Sequence, residues 1–248
     1  MLLADKVAVI SGAASPRGIG LATARLFAAH GAKVAILDLD EAAARDAAAG
    51  LGAEHRGFVC DVTDPAGCKE AARGVLEAFG QVDVLVNNAG KDDRHELFGV
   101  EPDAWNESLA LNLHHQFFCT QAVARGMTAR GHGSIILLGS VSWMRGRPGM
   151  VGYTTAKAAI HGLTRTLARE LGPGGVRVNC IVPGAILTER QERLWLTPEL
   201  NQKFIDLQAL KLRLDAGHVA RMALFLASDD ASGCTGADFL VDAGLTLN

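Results

Sequence analysis

Short apolar runs and helix-period stripes alternate along the whole chain. Val7-Ala8-Val9-Ile10 is a continuous apolar run, which predicts a buried strand over 6–10. Beyond it, Ile19, Ala22, Leu26 and Ala29 recur at helical spacing until Gly31 ends the stripe. A strand over 33–37, an alanine-rich helix over 41–50 and a strand over 57–60 come next. Asp64 followed by Pro65 has the form of an N-cap and first helical residue, opening a helix to about residue 79. The series closes with a strand over 82–86, a long helix over 102–131, a strand over 134–138, a helix carrying Tyr153, a Gly172-Pro173-Gly174-Gly175 break and a strand over 176–182.

This alternation predicts an α/β fold, a single Rossmann-like doubly wound parallel sheet with helices on both faces. In such sheets ligands bind outside the carboxyl ends of the strands. The Gly12 to Gly20 turn, Asp38, Asp61, the Asn87-Asn88-Ala89-Gly90 turn, Ser140 and Pro183-Gly184 all fall at those ends, which predicts one site along one sheet edge. One catalytic domain over 1–248 is expected, with 183–216 as a loop covering the substrate.

Composition then removes alternatives. At 248 residues and 49% hydrophobic, the chain has enough apolar material for one well-cored domain. A net charge of −3 gives no electrostatic reason to expect nucleic acid or an anionic membrane as partner. The five cysteines are odd in number and lack C-x-x-C spacing, so reduced thiols and no metal site are expected. Only Met-Leu-Leu-Ala precedes Asp5 and Lys6, too short for a signal h-region or a membrane span, so a cytoplasmic location is expected.

The amino-terminal unit runs strand, glycine-rich turn, helix, strand, acid. A turn containing Gly12, Ser15, Arg17, Gly18, Ile19 and Gly20 lets backbone N–H groups and a helix N-terminus approach a pyrophosphate. Asp38, eighteen residues past Gly20, is spaced to accept hydrogen bonds from a ribose. NAD is therefore the expected cofactor. Arg17 could meet a 2′-phosphate, which leaves NADP open, but Asp38 would repel that phosphate.

Tyr153, the chain's only tyrosine, lies four residues before Lys157, so both side chains project from one helix face. A neighbouring ammonium favours the phenolate. Lowering the phenol by about two to three units would make it a usable base near neutrality, from about 3–4 kcal/mol of charge interaction.

Taken together, the glycine-rich turn, Asn87-Asn88-Ala89-Gly90, Asn112, Ser140, Tyr153-x-x-x-Lys157 and Pro183-Gly184 with Thr188 resemble the short-chain dehydrogenase/reductase family from end to end. That resemblance implies Tyr153 as general acid/base and Lys157 as the group that lowers its pKa and binds the nicotinamide ribose. Ser140 would hold the substrate oxygen and Asn112 would organise a water relay behind Lys157. Asp61 and Val62 would flank the adenine, Asn88, Ala89 and Gly90 would line the cofactor, and Ile186 and Thr188 would hold the carboxamide, next to Pro183 and Gly184. It also implies a homotetramer, with the helices of Asn112 and Tyr153 at one interface and 241–248 near another. The Gly12–Gly18 spacing departs from the family's usual turn by an insertion, Pro16-Arg17.

Segments such as Asp92-Asp93-Arg94-His95, Gly139-Ser140-Val141-Ser142-Trp143 and Thr188-Glu189-Arg190-Gln191-Glu192 are similar to bacterial NAD-dependent aldopentose 1-dehydrogenases of the D-xylose type. The small-molecule substrate implied is a sugar. Asp92 and Gln191 sit in polar loops, together with Thr188, Glu189, Arg190 and Trp195, and a polyol needs such paired donors and acceptors. Ser142 is either a second hydroxyl on the substrate or a loop residue, and Trp143 either a flat face for a sugar ring or core filling. His114 and His115 are read as structural. The rival readings are an NADPH-dependent carbonyl or 3-oxoacyl reductase and a non-catalytic dinucleotide-sensing regulator.

Overall fold

Along the strand Val7–Ser11 (β1), Val7 and Val9 face one apolar core while Ala8 and Ile10 face another. A strand buried on both faces has no polar alternate positions, which is why its sequence is apolar throughout. The computed structural model describes every residue except Trp195 and Asn248. The further strands are β2 (Lys33–Asp38), β3 (Arg56–Val59), β4 (Val84–Asn87), β5 (Gly133–Leu138), β6 (Val176–Pro183) and β7 (Asp238–Val241). They form one parallel sheet in the order β3-β2-β1-β4-β5-β6-β7. The order reverses between β1 and β4, and the crevice outside their carboxyl ends is where this topology binds ligands.

Helices α1 (Ile19–Ala29) and α2 (Glu41–Ala49) cover one face; α3 (Pro65–Phe79) covers the other. Asp64 caps α3 by accepting from the Ala66 N–H, with Pro65 at its first position, as the sequence predicts. The helix predicted over 102–131 is interrupted. It comprises α4 (Pro102–Leu109), a π-helical turn (Ala110–His114) and α5 (His115–Arg130). The turn holds Asn112, whose side-chain amide donates to Ser108 O at 3.0 Å and to Lys91 O at 3.1 Å. The second of these contacts is tertiary, so hydrophobic periodicity carries no trace of it.

Helix α6 (Val151–Leu171) bears Tyr153 and Lys157. The stretch 183–216, expected as a covering loop, contains α7 (Glu189–Leu194) and α8 (Pro198–Leu207), the latter capped by Thr197. Trp195, between them, lies outside the described residues, as does Asn248 at the end of the segment expected at an interface. Helix α9 (Ala216–Ala227) packs on α1, and together with the edge strand β7 completes the sheet; neither was read from the sequence. All five cysteines are free thiols, with Sγ of Cys68 and Cys119 3.4 Å apart in the core. No helix among the described residues is long and apolar enough to cross a membrane.

Gly12 ends β1 at φ +62°, and a Cβ there would sit 2.8 Å from the Ala89 backbone. Gly12→Ala combines a left-handed backbone with a clash at the crossover and is expected to cost about 2 kcal/mol. Urea unfolding checks this; an unchanged midpoint would contradict the close approach.

Candidate active site

Two clefts that share Gly12, Asn88 and Gly90 run along the carboxyl edge of the sheet. One is lined by Asp38, Asp61, Val62 and Ala89; the other runs from Ser15, Gly18 and Ile19 past Ser140, Tyr153 and Lys157 to Pro183, Gly184, Ile186, Thr188 and Gln191. The expected adenosine residues and the expected nicotinamide residues thus occupy adjoining stretches of one edge.

Several features fit a dinucleotide. Helix α1 begins at Gly18 with no side-chain cap and no acid in its first turn, whereas Asp40, Asp64 and Asp215 cap α2, α3 and α9. Its N–H groups and positive dipole end are therefore open to a pyrophosphate. Asp38 accepts from the Ala14 N–H through Oδ2 at 3.0 Å, which orients the carboxylate and leaves Oδ1 for a ribose. Asn88 is fixed by donating from Nδ2 to the Ser11 and Gly12 carbonyls, both at 2.9 Å, while its N–H donates to Ser11 Oγ. Gly20 lies beneath the turn rather than in a cleft, and a Cβ on it would meet Asn88 Nδ2 at 2.6 Å. Arg17 does not reach the ribose side: it pairs with Glu192 on α7 at 2.7 Å. The inserted Pro16-Arg17 therefore links the turn to the covering helix, because the longer loop carries the guanidinium out over it.

The chemical centre is built from three elements. Ser140 follows β5, its Oγ accepts from the Ser142 N–H at 3.2 Å, and its hydroxyl is close enough to the Tyr153 phenol to favour the phenolate. Lys157 is buried, donates to the Leu138 carbonyl at 2.8 Å, and lies 5.6 Å from the centroid of the Tyr153 ring. Asn112 accepts from the Lys91 N–H at 2.9 Å and is the nearest group to a Cβ built on Gly90, at 3.0 Å, with Lys157 Nζ next at 3.5 Å. Asn112, Gly90 and Lys157 thus form one packed cluster behind Tyr153.

The electrostatics correct one expectation. Burial pushes the Tyr153 phenol up to about 12, opposed by the Ser140 hydroxyl. Burial likewise pulls Lys157 down to about 8. Both shifts are set chiefly by desolvation, which penalises the charged form of each group and so raises the phenol while it lowers the amine. Burial also keeps His115 neutral, pulled down to about 3, with the nearby Lys157 adding to the effect; this agrees with a structural role.

At the substrate end, Asp92 is held by Arg190 at 3.1 Å and Asp93 by the same guanidinium at 2.8 Å, which ties α7 to the loop after β4. Gln191 lines the cleft and accepts from Arg213 at 3.4 Å. Ser142 also lines it, with a buried hydroxyl that lacks a partner among the described residues. Trp143 does not. Its indole N–H donates to His161 Nε2 at 2.9 Å, and His161 Nδ1 pairs with Asp238 at 2.8 Å, so the ring is drawn back against α6. Arg145 and Arg147, in the cleft wall between Ser140 and Tyr153, were not singled out in the sequence, although two arginines between a candidate serine and tyrosine were visible there.

Similar proteins agree with this geometry. The family model described as enoyl-(acyl carrier protein) reductase matches residues 12–246. The D-xylose 1-dehydrogenase of Caulobacter vibrioides is 47% identical, covering 98% of this chain and 96% of that protein. A probable galactose dehydrogenase of Rhizobium meliloti is 40% identical, with 98% and 96% covered. The crystal structure of a putative short-chain alcohol dehydrogenase from Sinorhizobium meliloti superposes with a TM-score of 0.92 at 30% identity, covering 99% of this chain and 98% of that one. Alike in fold and in sequence from end to end, this chain belongs to the short-chain dehydrogenase/reductase family, the NAD(P)-dependent oxidoreductases that act on CH–OH groups.

Proposed function

We propose that the protein oxidises an aldose, a pentose or related sugar, at its anomeric carbon to the aldonolactone, with NAD as hydride acceptor and Tyr153 as general base. The observation that carries this reading is the gathering of Ser140, Tyr153 and buried Lys157 in one cleft that adjoins the dinucleotide crevice. The identities to sugar dehydrogenases give it further support.

NAD, when bound, supplies the hydride acceptor. The chain's own residues do the rest. Ser140 and Tyr153 hold the sugar hydroxyl, and the phenol oxygen takes its proton. Tyr153 and Lys157 titrate as a pair, so phenolate with ammonium and phenol with amine are two arrangements of the same proton count. The pair loses its first proton near 8 and its second near 12. The singly deprotonated pair, which includes the phenolate–ammonium arrangement, is thus the major one above about pH 8, and kcat/KM for oxidation is expected to climb about tenfold per pH unit below it.

The free Oδ1 of Asp38 favours NAD, since a 2′-phosphate would face a carboxylate. Specificity constants for the two cofactors provide the check. NAD should be favoured, and Asp38→Asn should narrow the ratio by about tenfold or more; a wild-type preference for NADP would refute this role of Asp38. A panel of pentoses, hexoses and oxoacyl thioesters, followed by reduced-cofactor absorbance, tests the substrate class. Preference for a thioester would favour the reductase reading. A cytoplasmic homotetramer, as in the resemblance above, is part of the proposal. The half-exposed Phe117 on α5 and the exposed Leu240 and Leu247 near the carboxyl end give it apolar surface to use.

A further inference from the structure

The charges at the substrate end do not balance. Arg190 is neutralised by Asp92 and Asp93, and Lys91 pairs with Asp93 at 3.0 Å. Arg145 and Arg147 have no hydrogen-bonding or ion-pairing acceptor among the described residues, yet both line the cleft beside Tyr153. Arg147 is half-buried and held over the Phe204 ring at 5.5 Å, a contact that orients a guanidinium without neutralising it. Burial pushes its pKa down, the nearby Arg94 and Arg145 add to the effect, and Asp92 opposes them. Beside these cations sits the Ser142 hydroxyl, nine-tenths buried and without a partner among the described residues.

A half-buried, unpaired guanidinium flanked by two others is unfavourable until an anion reaches it. A neutral polyol offers hydroxyl acceptors but no charge. A carboxylate or phosphate accepts bidentate hydrogen bonds from a guanidinium fork and still has lone pairs for a serine hydroxyl. The arginines stand on the loops that carry Ser140 and follow β4, not on the glycine-rich turn, so they face the substrate end of the cleft rather than the pyrophosphate end.

We propose that the substrate is an acidic sugar, an aldose bearing an anionic oxygen group at the end remote from its anomeric carbon, and that Arg147 and Arg145 bind that group with the Ser142 hydroxyl. A hexuronate is the first form to test and a sugar phosphate the second. This inference rests on the sugar reading above. The reaction keeps its balance: the C1 hydride goes to NAD, the C1 hydroxyl proton to Tyr153, and the lactone retains the anionic group unchanged.

The test uses pairs that differ only in charge, D-galacturonate against D-galactose and D-glucuronate against D-glucose, with D-glucose 6-phosphate as a third arm. In the wild type the acidic member of at least one pair is expected to have a kcat/KM about tenfold or more above its neutral partner. Arg147→Gln should reduce that ratio about tenfold, and Arg147→Lys should recover part of it. Because the readout is a ratio within each variant, partial misfolding cancels. A phosphate arm above both uronates would identify the anion as a phosphate ester and support the proposal. Neutral sugars matching or exceeding their acids, or a ratio unmoved by Arg147→Gln, would overturn it while leaving the sugar reading intact. If no aldose, charged or neutral, is oxidised at C1, the sugar reading fails and this inference falls with it.

Discussion

Tyr153→Phe is expected to lower kcat for aldose oxidation by about 10³-fold, with NAD affinity within about twofold of wild type. The phenyl ring fills the same position on α6, so packing is kept and only the oxygen that accepts the substrate proton is lost. That oxygen is also one of the two groups that orient the sugar hydroxyl, and Ser140 is left to hold it alone. The nucleotide end of the crevice, with Asp38, Asn88 and the open N-terminus of α1, does not involve the phenol. Steady-state NADH formation measures the first effect and calorimetric titration with NAD the second. A variant that turns over at the wild-type rate would remove Tyr153 from the chemistry.

Lys157→Met should abolish most activity and stabilise the ligand-free protein. Burial holds Lys157 near 8, below its ordinary 10.5, a difference of about 3 kcal/mol. Below pH 8 both folded and unfolded chains carry the proton, so the full cost of burying the charge is present. Between 8 and 10.5 the folded state sheds the proton first, and the cost disappears. The methionine variant should therefore exceed the wild type by up to about 3 kcal/mol at pH 7, an advantage gone by about pH 10.5. Tyr153 contributes with the opposite sign, since its raised value costs stability as pH climbs from 10 towards 12, but it is present in both proteins and largely cancels. Loss of the lysine does not orphan the Leu138 carbonyl, which also accepts from Gln116 Nε2 at 3.1 Å. Turnover at pH 7 should drop about 10³-fold, and the rise of kcat/KM with pH should continue past 8 because the phenol is left with burial alone. Urea titrations at pH 7 and pH 10 check the stability claim; a variant less stable than wild type at pH 7 would contradict it.

What the sequence made legible was mostly what local chemistry decides. Asp64-Pro65 announces a helix start whatever surrounds it, and the apolar run of β1 requires burial on both faces. The topological edge then followed from alternation alone, and it gathered Gly12, Asp38, Asp61, Asn88, Ser140 and Pro183 without any knowledge of packing; Tyr153 and Lys157 came from their i, i+4 spacing. The features that escaped depend on distant partners. The π-helical turn is associated with an Asn112 contact to the Lys91 backbone, Arg17 is drawn to Glu192 by a helix far along the chain, and Trp143 is turned from the cleft by His161 and Asp238. The phenol's pKa was misjudged for a related reason. Spacing brings an amine near it, but only the fold reveals that both groups are desolvated, and desolvation decides the sign. Helix α9 is a different case: Val219, Ala220, Ala223, Leu224 and Ala227 are buried at helical spacing, so its stripe was available to a closer reading.

Hydride is expected to leave the anomeric carbon of an aldose whose hydroxyl is held by Tyr153. This is tested most directly by oxidising the preferred aldose carrying deuterium at C1 and following the label by mass spectrometry. One deuterium in the reduced nicotinamide and none in the lactone is the predicted result. Unlabelled reduced cofactor, with deuterium retained in the sugar product, would mean that another carbon is oxidised and would contradict the claim.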